Sequence, residues 1–166
     1  MRTLLRYCKA LVPLLLICGP AQAVGGGNWP AAPKLLELPT PYGTLAVSDS
    51  EYVYEAKLNL DGVQIDPPIS GMLNISYAFE LPDKQAALVS ISKGNDACPV
   101  TYRWVVLQAD GYHVSPAFGS CSEHIRVSAD ARKLVLQTPS RERPDTVDTY
   151  VYDGKTVTQT TEGKKK

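Results

Sequence analysis

Two cysteines and two histidines of this sequence have side chains of the types that bind metal ions: Cys98, His113, Cys121 and His124. Cys121 and His124 are separated by two residues, which is a spacing found in zinc sites. A structural zinc site usually contains two such closely spaced pairs, whereas this chain has one. The spacing therefore does not predict a metal site, and we expect no cofactor.

Three serines near these histidines could act as nucleophiles in a hydrolase: Ser115, Ser120 and Ser122. The sequence has no Gly-x-Ser-x-Gly elbow and no His-Glu-x-x-His motif, which are local signatures of hydrolases. A catalytic triad is defined by its geometry, and closeness in sequence does not establish that geometry. We therefore predict no catalytic residue, and we keep hydrolysis as the third function to be weighed.

Residues 1–23 have the pattern of a secretory signal peptide. A basic start is followed by an apolar run from Ala10 to Ile17, a Gly-Pro break and a small-residue cleavage site at residues 21–23. The apolar run is shorter than the ~20 residues that a membrane-spanning helix needs. Lipid attachment at Cys18 is the less favoured alternative, because the preceding residue is not small. We expect a periplasmic or secreted protein without a membrane span.

Export leaves two of the four cysteines, Cys98 and Cys121, in the mature chain. Cysteines of exported proteins usually pair, because the compartment is oxidising. We therefore predict one disulfide, which would stabilise the fold by roughly 3 kcal/mol in the chain-entropy model. The bond would join the two ends of a hairpin and hold residues 115–124 as a pinned loop.

The charge pattern does not favour a nucleic-acid partner. The whole chain has 17 basic and 17 acidic residues. Removal of residues 1–23 would take away three basic residues and no acidic one, which leaves 14 basic residues, 17 acidic residues and a net charge of −3. Nucleic acids are bound by clustered Lys and Arg. The run Lys164–Lys166 belongs to a short basic tail, residues 161–166, that is expected to be solvated.

The mature chain divides into an arm and one domain. Residues 24–43 are rich in glycine and proline, which predicts a tether or an extended arm. Trp29, Leu35, Leu36 and Leu38 could still pack on the domain. The ordered domain is expected to occupy residues 44–160, which is enough for a single core.

Within this domain, apolar residues recur with a period of two, which predicts β-strands. Residues 52–60 and 73–81 alternate between apolar and polar side chains, as strands with one buried face do. Residues 87–92 and 101–108 are apolar on both faces, as expected of central strands in a structure of two layers. Asp110-Gly111, Asp153-Gly154 and the segment around Asp130 predict turns between strands. The fold class is therefore all-β, as one antiparallel meander or sandwich-like domain of hairpins.

Three segments of this domain, ACPVTYRWVVL, VSPAFGSCSEHIRVS and YVYDGKTV, resemble a pattern of small periplasmic proteins of proteobacteria, most of them without an assigned function. The resemblance covers residues 90–155. It implies a disulfide-bonded, all-β exported domain, and it implies no catalytic residue. The matching positions are Cys98-Pro99, Tyr102-Arg103, Pro116, Phe118-Gly119 and Cys121-Ser122.

The leading functional hypothesis is a periplasmic binding protein without catalysis, such as an inhibitor or an immunity protein that neutralises a toxin. Its support is an association between small rigid exported β-domains and such roles. Aromatic residues on a pre-ordered loop bind with little loss of entropy. We therefore expect a contact surface on the hairpin that the disulfide would close, including the pinned loop. The alternative is a module that binds a small molecule or an envelope component. The candidate contact residues are Tyr112, His113, Phe118 and His124.

Overall fold

The computed structural model describes residues 29–30, 32–94 and 97–163. The predicted signal peptide, the lipid-attachment alternative at Cys18 and Lys164–Lys166 of the tail lie outside these residues. In the described part of the chain, no helix is long and apolar enough to span a membrane.

The described residues form three antiparallel sheets of four strands each, with 56% of these residues in strands and no α-helix among them. The N-terminal sheet contains β1 (Glu37–Thr40), β2 (Gly43–Val47), β3 (Leu58–Leu60) and β4 (Val63–Gln64). The central sheet contains β5 (Met72–Leu81), β6 (Lys84–Ser92), β7 (Thr101–Gln108) and β8 (Gly111–Val114). The C-terminal sheet contains β9 (Arg126–Ala129), β10 (Leu134–Pro139), β11 (Thr146–Tyr152) and β12 (Val157–Gly163).

Each sheet is an up-and-down meander, because strands that follow one another in the chain are also neighbours in the sheet. Hairpin turns at Asp110-Gly111 and Asp153-Gly154 join β7 to β8 and β11 to β12. At the third predicted turn, Asp130 accepts hydrogen bonds from the backbone N–H groups of Arg132 and Lys133. The predicted all-β antiparallel fold is confirmed.

The central sheet lies between the other two sheets, so the domain has three layers rather than the two that the sequence predicted. Alternate residues of β6 enter two different hydrophobic cores: Ala86 and Leu88 face the C-terminal sheet, and Ala87 and Val89 face the N-terminal sheet. The apolar run of residues 87–92 follows from this double burial. A single sequence does not show that the covering elements are two separate sheets.

The two cores differ in composition. The core between the central and C-terminal sheets, the aromatic core, contains Tyr102, Trp104, Phe118, Tyr150 and Tyr152 among its buried residues. The core between the central and N-terminal sheets, the aliphatic core, is formed by buried alanine, valine, leucine and isoleucine side chains.

The predicted arm, residues 24–43, is partly regular structure. Leu35 and Ile75 exchange two backbone hydrogen bonds of 2.8 and 3.2 Å, and β1 follows within the same segment. Leu38 of β1 lies opposite Leu45 and packs on the aliphatic core. β1 tolerates Pro39 because it is an edge strand. The domain therefore begins before the predicted boundary at residue 44, and β12 ends at Gly163, beyond residue 160.

The prediction of a strand over residues 52–60 is wrong for the first half of that segment. Val53–Glu55 forms one turn of 3-10 helix, and Tyr52 and Tyr54 are exposed. Ser48 explains the difference, because its hydroxyl and its N–H both bond to the backbone of Lys57, at 2.9 and 2.8 Å. These bonds close a loop over residues 49–56, and local serine-to-backbone bonds compete with strand pairing in this way.

Candidate functional site

The structure confirms the predicted disulfide between Cys98 and Cys121, whose Cα atoms are 4.7 Å apart. It joins the chain before β7 to the chain after β8. Between them, Tyr102 and Phe118 exchange backbone hydrogen bonds of 2.8 and 2.9 Å, which extends the hairpin toward the disulfide. Residues 115–124 are therefore a pinned loop, as predicted. Both sulfur atoms are bonded to each other, so the metal alternative loses its two cysteine ligands.

Phe118 is not an exposed contact residue, and the sequence prediction for it is wrong. Its side chain is 8% exposed. Because Phe118 pairs with Tyr102, its ring points into the aromatic core, where it packs against the rings of Tyr102 and Tyr150 at centroid distances of 6.5 and 5.6 Å. The chain after β8 continues beside β7, although Pro116 interrupts the alternating pattern that would have revealed this pairing.

Tyr112 contacts another sheet of the same protein. Its ring packs on the aliphatic core, and its hydroxyl accepts a hydrogen bond of 2.8 Å from the backbone N–H of Asp66. Tyr112 is half-buried, so only part of its side chain is open to a partner. Its main contact joins β8 to the segment that follows β4.

His113 and His124 are both exposed, but the structure does not bring them together. His113 lies on β8 next to the hairpin turn at residues 109–111. His124 lies beyond Cys121, at the opposite end of the same hairpin. The four predicted contact residues therefore do not form one surface. We call the two ends of the domain the turn end, with the hairpin turns at residues 82–83, 109–111, 130–133 and 153–156, and the disulfide end.

The three serines considered as nucleophiles bond to the backbone or to another hydroxyl. Ser115 accepts from the N–H of Trp104 at 2.9 Å and donates to a carbonyl at 2.8 Å. Ser120 contacts the Thr138 hydroxyl and a carbonyl oxygen, and Ser122 accepts from the N–H of His124 at 3.1 Å. These bonds position the pinned loop.

At the turn end, an open crevice of about 220 Å³ separates the tips of the central and C-terminal sheets. We call it the basic crevice. Lys84 begins β6, Arg132 lies in the β9–β10 turn and Lys155 lies in the β11–β12 turn, so three hairpins supply one cation each. His113 is part of the wall. The residues that define the crevice are Lys84, Val106, His113, Arg132, Tyr152 and Lys155.

The positive charge of the basic crevice is only partly balanced. None of its three cationic side chains forms an ion pair with a residue in the described part of the chain. Among the described residues of the lining, Asp153 is the one acidic residue, and it accepts hydrogen bonds from the N–H groups of Thr156 and Lys155 at 2.8 and 2.9 Å. These bonds, the one from Thr156 first, lower the pKa of the Asp153 carboxyl. The carboxylate therefore stays ionised and shapes the turn.

At the disulfide end, a second cavity of about 160 Å³ lies over the first half of β5 and the second half of β6. We call it the polar cleft. Residues 32–34 of the arm form one wall, and Glu123 and His124 of the pinned loop form the other. The floor and the pinned-loop wall include Asn74, Ser76, Ser90, Ser92, Tyr102 and His124.

Tyr102 connects the floor of the polar cleft to the pinned loop. Its hydroxyl donates a hydrogen bond of 2.8 Å to the carbonyl oxygen of Ser122. Burial raises the pKa of the Tyr102 hydroxyl, and the Glu123 carboxylate raises it further. The hydroxyl is therefore protonated at all physiological pH values, and it holds the cleft wall in place as a neutral donor.

Comparison with protein-family models, with curated proteins and with solved structures finds no match to this chain. The resemblance to small periplasmic proteins therefore stays a prediction. The fold and the two cavities define an all-β, disulfide-bonded domain with an open cavity at each end of its sheets.

Sequence reasoning predicted one residue of each cavity, His113 and His124, and missed the others. A signal for the basic crevice is present in the sequence, because a cation stands two residues after the turn aspartate in both ADAR and YDGK. The polar cleft has a weaker signal, which is the pair of serines at residues 90 and 92 in the otherwise apolar segment 86–92.

Proposed function

We propose that the protein is a periplasmic binding protein without catalysis that binds and neutralises another protein, such as a toxin, through its basic crevice. The partner would present acidic side chains to Lys84, Arg132 and Lys155. The observation that carries this proposal is the charge of the crevice, where three cations converge from three hairpins without an ion-pair partner among the described residues.

The rigidity of the turn end supports a protein-binding role. The turns that carry Arg132 and Lys155 are each held by an aspartate, Asp130 or Asp153, that accepts two backbone N–H groups. A surface that is ordered before binding loses little conformational entropy when it binds. Complementary charge also accelerates association and disfavours partners of like charge.

Two further observations agree with an exported, non-catalytic protein. Disulfides persist in oxidising compartments, and the Cys98–Cys121 bond supports such a location. The hydroxyls of Ser115, Ser120 and Ser122 bond to the backbone or to another hydroxyl, where they stabilise the pinned loop. A hydrolase would need one of these hydroxyls to donate its hydrogen bond to a general base instead.

The proposal is tested with a charge-reversal variant of the crevice, Arg132→Glu/Lys155→Glu. The matched control is Lys93→Glu/Arg143→Glu, which reverses two exposed cations that do not line the crevice. Each purified protein is immobilised and exposed to a cell-envelope extract of the source organism. Retained proteins are then identified by mass spectrometry, and the dissociation constant of the retained partner is measured with purified components.

We expect the native protein and the control to retain the same acidic protein, and the crevice variant to bind it about tenfold more weakly. The affinity should fall as salt is raised, because exposed charge pairs are screened. Equal affinity of the crevice variant would contradict the proposal. Hydrolysis of the retained partner by the native protein would favour an enzyme instead.

The second candidate function, a module that binds a small molecule or an envelope component, is favoured by a different observation. Ser76 in the polar cleft has a buried hydroxyl without a hydrogen-bond partner among the described residues. This cavity lies at the disulfide end, away from the basic crevice, so the two functions are tested by different variants.

A further inference from the structure

The hydroxyl of Ser76 is the feature of the polar cleft that indicates a bound ligand. Ser76 is 1% exposed, it lines the cleft, and its Oγ has no hydrogen-bond partner among the described residues. A buried hydroxyl without a partner lowers the stability of a fold, and native proteins rarely keep one. A group bound in the cleft could donate to this hydroxyl and accept from it.

The floor around Ser76 offers further neutral polar groups in a regular arrangement. Asn74, Ser90 and Tyr102 lie side by side on three adjacent strands, because Asn74 pairs with Ser90 and Ser90 pairs with Tyr102. Ser92 lies one step along β6 on the same face. The Ser90 hydroxyl donates a bond of 3.3 Å to the carbonyl oxygen of Asn74, so its lone pairs can still accept.

The other lining residues indicate which charge and shape a ligand of the polar cleft should have. Met72, Val100 and Tyr102 add apolar surface beside the polar floor. The lining includes the exposed Lys34 and the exposed Glu123, whose charges are opposite, so these two residues together add no net charge to the cleft. The cavity of about 160 Å³ has room for roughly five water molecules. These properties fit an uncharged molecule of one ring that has both hydroxyl groups and a C–H face.

We propose that the polar cleft binds one ring of a neutral polyhydroxylated ligand, namely a free monosaccharide or a terminal sugar unit. The hydroxyls of Ser76, Ser90 and Ser92 and the Asn74 amide bond to the sugar hydroxyls. The apolar surface of Met72, Val100 and Tyr102 contacts the C–H face of the ring. This site is separate from the basic crevice, and it does not depend on the proposed protein partner.

The direct test is a ¹H–¹⁵N NMR titration of the full mature chain with free glucose and free N-acetylglucosamine. We expect amide shifts at Asn74, Ser90 and Ser92 and none at Lys155, with a dissociation constant on the order of 1 mM for so small a ligand. Alanine serves as a zwitterionic probe and inorganic phosphate as an anionic probe. Shifts in the cleft that are larger with either of these than with both sugars would overturn the proposal, as would no shift with either sugar.

Ser76→Ala separates binding from folding. Because the hydroxyl has no partner within the fold, its removal should leave the melting temperature unchanged or raise it, while sugar binding weakens about fivefold. Ser128→Ala, which removes an exposed hydroxyl from β9, is the control and should change neither quantity. A Ser76→Ala protein that binds sugar as tightly as the native one would contradict the proposal. A lower melting temperature would also contradict it, because the hydroxyl would then serve the fold.

Discussion

The turn end and the disulfide end of the domain are ordered by different kinds of contacts. At the turn end, Asp130 and Asp153 each accept backbone N–H groups from residues two and three positions ahead. At the disulfide end, the order comes from residues far apart in the chain, through the Cys98–Cys121 bond and the hydrogen bond from the Tyr102 hydroxyl to Ser122.

This difference separates the side chains that hold the fold from those that are free to bind. The turns at residues 130–133 and 153–156 are held by the carboxylates of Asp130 and Asp153, so the cationic side chains beside them can face a partner without a structural role. At the disulfide end, the long-range contacts leave a cavity whose walls are fixed. Substitutions should therefore affect stability mainly at the disulfide end and protein binding mainly at the turn end.

The largest effect is expected for Phe118→Ala, which removes a buried ring from the aromatic core at the disulfide end. The loss of packing against Tyr102 and Tyr150 should lower the free energy of unfolding by about 3–5 kcal/mol. The paired substitution at the turn end is His113→Ala, which removes an exposed ring and should change stability little. Urea denaturation of both variants measures the difference. An equal loss of unfolding free energy in the two variants would show that the two ends do not differ in their contribution to stability.

Loss of the disulfide should have the next largest effect. Cys98→Ala/Cys121→Ala is expected to lower the free energy of unfolding by roughly 3 kcal/mol, because the unfolded chain is no longer constrained. Below the unfolding transition, the affinity of the basic crevice for its partner should not change, since the turns at residues 130–133 and 153–156 are held locally. A large loss of partner affinity in the folded variant would mean that the ends are coupled.

Two glycines allow the ends to be compared with the same substitution. Gly119 and Gly111 have φ angles of +117° and +134°, so alanine strains the backbone at both. A Cβ at Gly119 would also lie 2.9 Å from Cδ2 of Tyr102, whereas a Cβ at Gly111 would have nothing within 4 Å. We expect Gly119→Ala to lower the free energy of unfolding by about 1–3 kcal/mol and by more than Gly111→Ala. Thermal unfolding that ranks them in the reverse order would contradict the assigned packing.

The smallest effect is expected from the pH dependence of the turn end. Hydrogen bonds from Thr156 and Lys155 lower the folded-state pKa of Asp153 below its ordinary value of 3.8. Its contribution to stability is therefore present above pH 3.8 and is lost as the pH falls through the lower folded-state value. The difference in melting temperature between the native protein and Asp153→Ala should shrink over that range. A difference that stays constant down to about pH 2 would contradict this assignment.

The sequence predicts the parts of the fold that depend on local patterns. Alternation over residues 73–81 and the apolar runs 87–92 and 101–108 predict three strands of the central sheet. Asp-Gly pairs predict two of the turns, and the cysteine count, with the expectation of export, predicts the disulfide. Each of these predictions depends only on neighbouring residues or on the number of cysteines, and the structure confirms all three features.

The remaining features depend on contacts between segments far apart in the chain. Phe118 was predicted as a contact residue of the pinned loop, but its pairing with Tyr102 buries it. Residues 52–56 of the loop at residues 49–56 were expected to belong to a strand over residues 52–60, because apolar and polar side chains alternate there. The basic crevice joins three hairpins, and a single hairpin sequence does not reveal that they meet.

The most direct test of the account is to map which end of the domain contacts the protein partner. Lysines at both ends make this possible: Lys84, Lys133 and Lys155 lie at the turn end, and Lys34 and Lys93 lie at the disulfide end. A lysine-directed photo-cross-linker is attached to the native protein, the retained partner is added, and the cross-links are located by mass spectrometry. We expect cross-links from the turn-end lysines. Cross-links confined to Lys34 and Lys93 would contradict the assignment of the basic crevice as the binding surface.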